Sequence, residues 1–377
     1  MEPNDRIKNI LVLRLGGIGE VITITPALRA LYNRYPDACV TLIADRESGE
    51  IIRGLPYVKE IIAFKDVFHT WSPWDIFDIR SLKEAIGNII RLKRRRFDLF
   101  IEFHNLFNRI SVIKPMFFGY ISNAPRRIGL NTYNRGFFLT DKVPDNRFEF
   151  KHQIDRFLDV VKVIGCETDN RWTEVSILEE DREYAKRIFK EYGIEDSQGL
   201  IGIHPGANPI FPIRCSWPEE RFAMVGDALA EKYHTAIILT GTPGEIPIVK
   251  RVAELMRFKP INIAGLTTVK QLSAVIERCS LFISNDTGPM HIAVAVRVPT
   301  IGIFGPGDYQ AYGSYPSEFN FTLIRKPIEC WPCPDVKCTT RNCMKNIEVE
   351  DVLSAAEKEI CRINIHRVAI RNKGSKI

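Results

Sequence analysis

Apolar runs and polar breaks alternate along the chain in an order that predicts strand, loop and helix, repeated. Ile10–Leu15 is a continuous apolar run, as expected at the centre of a parallel sheet. The glycine loop Gly16-Gly17-Ile18-Gly19-Glu20 and a helical pattern from Val21 to Tyr35 follow it. Further strands are predicted at Cys39–Ala44, Glu60–Phe64 and Leu99–Glu102. Helical segments lie between them at Glu47–Gly54 and Ile79–Lys93, and an amphipathic helix runs from His152 to Ile164. Asp169–Ile177, polar and then extended, reads as an interdomain linker. The pattern then restarts. Strands are expected at Leu200–Ile203, Ala236–Leu239, Ile261–Ile263, Leu281–Ile283 and Pro299–Gly305, with helices from Trp217 to Tyr233, up to Met256, over Val269–Arg278 and from Pro289 through Val296. Val349–Ile365 is a final helix, expected to pack back across the domains. Such alternation argues for α/β architecture with parallel sheets. The expected division is a first doubly wound domain over 1–172, a second over 173–347, and a C-terminal helix with a basic tail over 348–377. Two such domains would face each other across a cleft.

Composition adds limits. The chain has 377 residues, 45% hydrophobic and 26% charged, which suits a globular protein with substantial cores. No apolar run approaches the roughly 18 residues of a membrane span, and Met1–Asn9 mixes both charge signs, so a cytoplasmic location is expected. The net charge of +6 is unevenly spread. Arg91, Lys93, Arg94, Arg95 and Arg96 form one cluster, Arg126, Arg127 and Arg135 another, and the C-terminus adds His366, Arg367, Arg371, Lys373 and Lys376. These are either solvated faces or attraction sites for an anionic partner. Four of the nine cysteines cluster as Cys330, Cys333, Cys338 and Cys343. In a cytosolic chain that points to metal or redox chemistry before a disulfide framework, and a structural zinc site is one reading of the first pair's spacing.

The candidate chemistry sits where strands end. Ser284-Asn285-Asp286-Thr287-Gly288-Pro289-Met290-His291 joins a strand to a helix whose second residue is proline, which suits a helix start. The free N–H groups of such a start favour a phosphate or other anion. A dinucleotide fingerprint needs G-x-G-x-x-G, whereas the first loop has Gly16, Gly17 and Gly19. That spacing weakens a nucleotide-dependent oxidoreductase reading.

Taken together, these motifs resemble glycosyltransferase family 9, the ADP-heptose:lipopolysaccharide heptosyltransferases. The resemblance runs from Leu15–Glu20 and Thr25-Pro26-Ala27-Leu28, through Arg127-Ile128-Gly129 and His204-Pro205-Gly206-Ala207 with Trp217-Pro218-Glu219, to Ser284–His291 and Gly302-Ile303-Phe304-Gly305. It implies a GT-B fold with two Rossmann-like domains, and inverting, metal-independent transfer of a sugar from an ADP-sugar, with no cofactor required. Glu20 stands where the family places its general base, typically Asp; the alternative is a helix-start acid. Gly17, Gly19, Gly206, Glu245, Leu266, Asp286, Thr287, Gly288 and His291 would bind the donor. Arg214 would approach the diphosphate in place of a family basic residue that is Cys215 here. His104, Asn105, Arg126 and Arg127 stand where acceptor contacts are expected. The implied partners are a nucleotide-sugar and an anionic, lipid-linked glycan at the cytoplasmic face of the inner membrane, with no nucleic acid. A non-catalytic nucleotide-sugar-binding relative is the alternative.

Overall fold

The computed structural model describes residues 7–64, 79–145, 151–194, 199–207, 216–313, 321–331, 333 and 338–374. The chain divides into two compact units, Met1–Ser176 and Ile177–Ile377. The first is built on strands β1 (Asn9–Leu13), β2 (Cys39–Asp45), β3 (Glu60–Phe64), β4 (Leu99–Glu102), β5 (Arg126–Leu130) and β6 (Asp141–Val143). They form one sheet in the order β3-β2-β1-β4-β5-β6, and every pairing in it is parallel. The second is built on β7 (Leu200–His204), β8 (Ala236–Leu239), β9 (Ile261–Asn262), β10 (Leu281–Asn285), β11 (Thr300–Ile303) and β12 (Phe321–Ile324). Its order is β12-β11-β10-β7-β8-β9, again all parallel. Counted from its own first strand, each sheet therefore runs 3-2-1-4-5-6, the doubly wound Rossmann order. The order reverses between β1 and β4 in one unit, and between β7 and β10 in the other.

The central strands are apolar on both faces because helices cover both. Ile10, Leu11, Val12 and Leu13 are fully buried, as are Leu281, Phe282 and Ile283. Each such side chain contributes about 1.5–3 kcal/mol on burial. The helix Gln153–Lys162 buries Ile154, Phe157, Val160 and Val161 and packs on the helix Thr25–Arg34.

Four expectations change. The single helix expected over Val21–Tyr35 is two, Ile18–Ile22 and Thr25–Arg34. Pro26 has no N–H to offer the Ile22 carbonyl; the Thr25 hydroxyl takes that acceptor instead, at 2.8 Å. Strands β5, β6 and β12, which the apolar pattern did not predict, complete the two sheets. The stretch expected as linker is bound to the first unit up to Ser176. Glu174 pairs with Arg29 at 2.6 Å and accepts from the Tyr57 hydroxyl at 2.8 Å, and Ser176 donates its N–H to Ile51. The last helix runs Val349–Gly374, and its Val349, Val352, Ala355 and Ala356 join the core of the second unit.

Candidate active site

In open α/β sheets, ligands bind beyond the carboxyl ends of strands where the order reverses. In the first unit that point carries Glu20 and His104. Gly16 leaves β1 at φ +140 and its N–H donates to the Asp45 carboxylate at the end of β2. A Cβ on Gly16 would lie 1.9 Å from Glu20 Oε2, so only glycine lets that carboxylate fold back over the loop. Glu20 Oε2 then accepts the Gly17 N–H at 2.9 Å, and Oε1 accepts from Arg14 Nη2 at 3.0 Å. Arg14 is only 1% exposed. It also donates to the Phe103 carbonyl at 2.6 Å and stacks over the Phe157 ring at 5.1 Å. Glu20 is thus both the helix-start acid and an oriented carboxylate, with its side chain 40% exposed. A carboxylate offers about four lone-pair positions, and two are used here. Gly19 lies in the same short helix, Ile18–Ile22, and Gly17 has open space around it.

His104 follows β4. Its Nδ1 lies 2.8 Å from the fully buried Glu102 carboxylate, and its Nε2 lies 2.9 Å from both the N and O of Leu15. The ring thereby ties the end of β4 to the glycine loop. Asn105 is buried against Gln153 at 3.3 Å. Arg126 and Arg127 are elsewhere. They begin β5, in register with Leu99 and Phe100 at the amino end of β4, about 10 Å below the carboxyl edge at 3.3 Å per residue. Arg126 pairs with Asp141 at 2.8 Å; Arg127 donates to the Phe138 and Ala124 carbonyls and stacks over Tyr120. The structure therefore brings Glu20, His104 and Asn105 to one edge of the sheet and leaves this arginine pair at the other. The large basic cavity, about 590 Å³ and lined by Lys59, Glu60, Arg91, Arg95 and Arg96, also includes Asn9 and Cys39, at the amino ends of β1 and β2.

In the second unit the same edge gathers most of the expected donor residues. His204 ends β7, and its Nδ1 lies 3.0 Å from the Thr240 hydroxyl. Glu245, beyond β8, stands 3.7 Å from His204 Nε2 and accepts from the Thr242 N–H and hydroxyl, each at 2.8 Å. Burial acts to raise the Glu245 pKa, but His204 and the Thr242 donors outweigh it and hold the carboxyl down at about 2. Gly206 lies against both groups: a Cβ there would be 2.1 Å from Glu245 Oε1 and 2.7 Å from His204 Nε2. Asn285 fixes this loop, donating to the Pro205 and Gly206 carbonyls at 3.0 and 2.9 Å and accepting the Trp217 N–H at 3.2 Å.

Asp286 comes next, after β10. Burial, with the Asp308 carboxylate nearby, pushes its pKa up to about 7. Gly307 admits it closely, since a Cβ there would sit 2.6 Å from Asp286 Oδ2. Thr287 is the N-cap of the helix Gly288–Ala295, yet its hydroxyl makes no cap bond; it turns back to Ser284 Oγ at 3.2 Å. Pro289 has no N–H and the Met290 N–H already donates to the Thr287 carbonyl at 3.2 Å, so it is the Gly288 N–H and the positive end of the helix that favour an anion here. His291 lies in this helix, half-buried. Leu266, beyond β9, is 53% exposed, so it is not a core leucine. Arg214, Cys215, the aromatic segment Val67–Trp74 and Lys376 lie outside the described residues.

Cys330, Cys333, Cys338 and Cys343 border one cavity of about 320 Å³. Among the described residues, however, no three His, Cys, Asp or Glu side chains are arranged to hold a metal ion. The zinc reading of these cysteines thus finds a shared cavity but no coordination geometry.

Arg14, Asp45 and Glu102 are the site residues that the sequence reading missed. Each is a charge at or just past the end of an otherwise apolar strand, a signal visible in the sequence.

Residues 89–344 match glycosyltransferase family 9 (heptosyltransferase). The chain is 23% identical over 345 residues to lipooligosaccharide heptosyltransferase 2 of Campylobacter jejuni subsp. jejuni serotype O:2, covering 90% of this chain and 94% of that one. Among solved structures, the family 9 glycosyl transferase of Veillonella parvula superposes with a TM-score of 0.78 at 26% identity, covering 94% and 98% of the two chains. The heptosyltransferase WaaC of E. coli, solved with ADP-2-deoxy-2-fluoro heptose, superposes with a TM-score of 0.69 at 18% identity, covering 93% and 99%. The fold is GT-B, and with more than half its length matched, the chain belongs to glycosyltransferase family 9 and is a glycosyltransferase.

Proposed function

We propose that the enzyme transfers heptose, or a closely related sugar, from an ADP-sugar to an inner-core lipopolysaccharide or similar glycan, with inversion and without a catalytic metal. The observation that carries this reading is the order of groups along one sheet edge. Leu266, Glu245, Gly206 and Asp286-Thr287-Gly288 follow β9, β8, β7 and β10, which are adjacent in that sequence. Three strand spacings span about 14 Å, which suits an extended adenine, ribose, diphosphate and sugar read in that order. Leu266 would lie against adenine and Glu245 would accept from the ribose. The helix start at Thr287-Gly288 would meet the diphosphate, and Asp286 would hold sugar hydroxyls, with His291 and the loop residues Gly17 and Gly19 adding donor contacts. Arg214 would add positive charge there.

In the reaction, Glu20 takes the proton of the acceptor hydroxyl while that oxygen attacks the anomeric carbon. The bond to the diphosphate breaks, and its developing charge is met by the Gly288 N–H and the positive end of its helix. Arg14 holds the Glu20 carboxylate in place, so the protein supplies an oriented base rather than a freely rotating one. The lipooligosaccharide heptosyltransferase of Campylobacter jejuni and the ADP-heptose analogue bound by WaaC support heptose and a lipopolysaccharide-type glycan as the substrate classes. His104 and Asn105, which follow β4 at the same sheet edge as Glu20, would contact the acceptor.

The test is ADP release from ADP-heptose with and without a core-glycan acceptor. The wild type should release ADP only with acceptor. Glu20→Gln should lower turnover roughly 10²–10⁴-fold, the usual worth of a general base, with ADP affinity retained. Full turnover by Glu20→Gln sinks the base assignment. Donor binding by the wild type with no acceptor-dependent ADP release would instead identify a non-catalytic relative.

A further inference from the structure

We infer that the segment Phe103–Thr140 forms a membrane-docking surface that seats the first unit on an anionic bilayer. This deepens the proposed function, because it rests on the acceptor being lipid-anchored.

Two independent features point to it. The first is apolar exposure. Of the sixteen exposed large hydrophobic side chains among the described residues, seven fall between 107 and 137. Ile113, Phe117 and Tyr120 stand at i, i+4 and i+7 of the helix Ile113–Ile121, hence on one face. Ile110, 71% exposed, lies one turn ahead, its carbonyl accepting the Ile113 N–H. The second is charge. From Phe103 to Thr140 there is not one Asp or Glu, while Arg109, Lys114, Arg126, Arg127 and Arg135 all fall within the stretch.

Arginine contacts join the apolar groups into one surface. Arg135 donates to the Leu106 and Phe107 carbonyls at 3.2 and 2.8 Å while lying 5.0 Å over the Tyr133 ring. This ties the loop after β4 to the turn after β5. Arg127 lies 5.2 Å over Tyr120 and donates to the Phe138 carbonyl at 2.8 Å, which ties the helix to the Phe137-Phe138 turn. Large exposed apolar patches on a folded protein mark interaction sites. Asp141, just past the segment, takes up Arg126; the aromatic and aliphatic side chains beside Arg109, Lys114, Arg127 and Arg135 suit an interface of acyl chains and anionic headgroups. The basic cluster Arg91–Arg96 is a weaker candidate, because two of its arginines share the Glu60 carboxylate and only Ile86 and Ile90, against seven large hydrophobics here, are exposed near it among the described residues.

The position also serves the reaction. The segment leaves β4 at Phe103, whose carbonyl holds Arg14 and through it Glu20. A bilayer seated on this surface would present its glycan headgroups beside the base.

The experiment is flotation of the full-length protein, without donor or acceptor, on phosphatidylglycerol-containing vesicles and on pure phosphatidylcholine vesicles. The wild type should float with the anionic vesicles only, and salt should release it. Ile110→Asp with Phe117→Asp should weaken partitioning at least about tenfold, given the penalty for charge at an apolar interface. Arg109→Gln and Lys114→Gln, which leave the packing alone, should each weaken it about fivefold. ADP binding and transfer to a soluble, lipid-free core glycan should be unchanged in all of these variants. Equal flotation of wild type and variants, or no flotation of the wild type, overturns the proposal. So does a wild-type dimer that the double Asp variant converts to monomer without lipid, since a second copy would then own the patch. Loss of transfer to soluble glycan in the wild type would instead count against the proposed function, and vesicle binding is read separately from it.

Discussion

Gly206 has no room for a side chain, and that restriction makes a sharp prediction. A methyl group there would overlap both Glu245 and His204, and His204 with the Thr242 donors holds the Glu245 carboxyl down. Gly206→Ala should therefore displace Glu245 from its Thr242 donors and weaken ADP binding at least about tenfold, or about 1.4 kcal/mol, with a much smaller change in thermal stability. Calorimetric titration with ADP checks it; unchanged affinity would remove Glu245 from the ribose. Asp286 makes a prediction of another kind. Its folded pKa, about 7, is raised above the ordinary 3.8 by burial and by Asp308. The folded state then holds a proton that the unfolded state has lost, so Asp286 takes stability away as pH rises from about 4 to about 7. Asp286→Asn removes that slope. The variant should gain melting temperature relative to wild type as pH rises through this window and show no gain below it, while losing donor affinity. A parallel pair of melting curves across that range would show that Asp286 is not strained in this way.

At the scale of elements, strand ends and loops carry the functional groups and hidden polar anchors set their positions. Asn285 is fully buried at the end of β10 and makes three hydrogen bonds, to Pro205, Gly206 and Trp217. Trp217 is itself locked by its indole N–H on the Ile347 carbonyl at 2.9 Å and by edge contact with Phe222 at 4.9 Å. Asn285→Ala leaves two carbonyls and one N–H without partners, at about 1–3 kcal/mol per buried unsatisfied group. The denaturation midpoint should fall accordingly, and ADP affinity should fall with it because the Gly206 loop is no longer held. An unchanged midpoint would mean that water replaces the amide. The same anchors explain what could be read in advance. Central strands such as Ile10–Leu13 and Leu281–Ile283 announce themselves as unbroken apolar runs because both of their faces are covered. The strands β6 and β12 are short edge strands, and β5 opens on two arginines, so their place comes from pairing with a neighbour rather than from local pattern. The helix break at Thr23-Ile24 depends on one threonine hydroxyl. Glu20, Asp286, Arg14, Asp45 and Glu102 are all legible as polar residues at strand ends, but the roles of Arg14, Asp45 and Glu102 come from contacts with Phe103, Gly16 and His104 that only the fold creates.

At the scale of the molecule, the chain is two Rossmann-like units, each with its own parallel sheet and its own core. The second core draws its members from Ile201 to Ala356, and the first from Leu11 to Leu139. The Glu174 carboxylate is held by Arg29 and Tyr57, and the Glu174 N–H donates to the Thr25 hydroxyl. The compact units divide after Ser176, and cutting at 172 would leave Arg29, Tyr57 and Thr25 without Glu174. Residues 177–377 carry a complete six-stranded sheet and the helix Val349–Gly374 that seals it. A domain with its own core can in principle fold alone. This fragment should unfold cooperatively and bind ADP within about tenfold of the full chain, about 1.4 kcal/mol, because Leu266, Glu245, Gly206 and Asp286–Gly288 all belong to it. It should release no ADP from ADP-heptose in the presence of acceptor, since Glu20 is absent. Circular dichroism melting and ADP titration of the fragment decide the matter. A fragment that folds but binds ADP a hundredfold more weakly would mean that groups of the first unit, such as Gly17 and Gly19, supply a large share of donor binding, and the donor site would then have to be redrawn around both units.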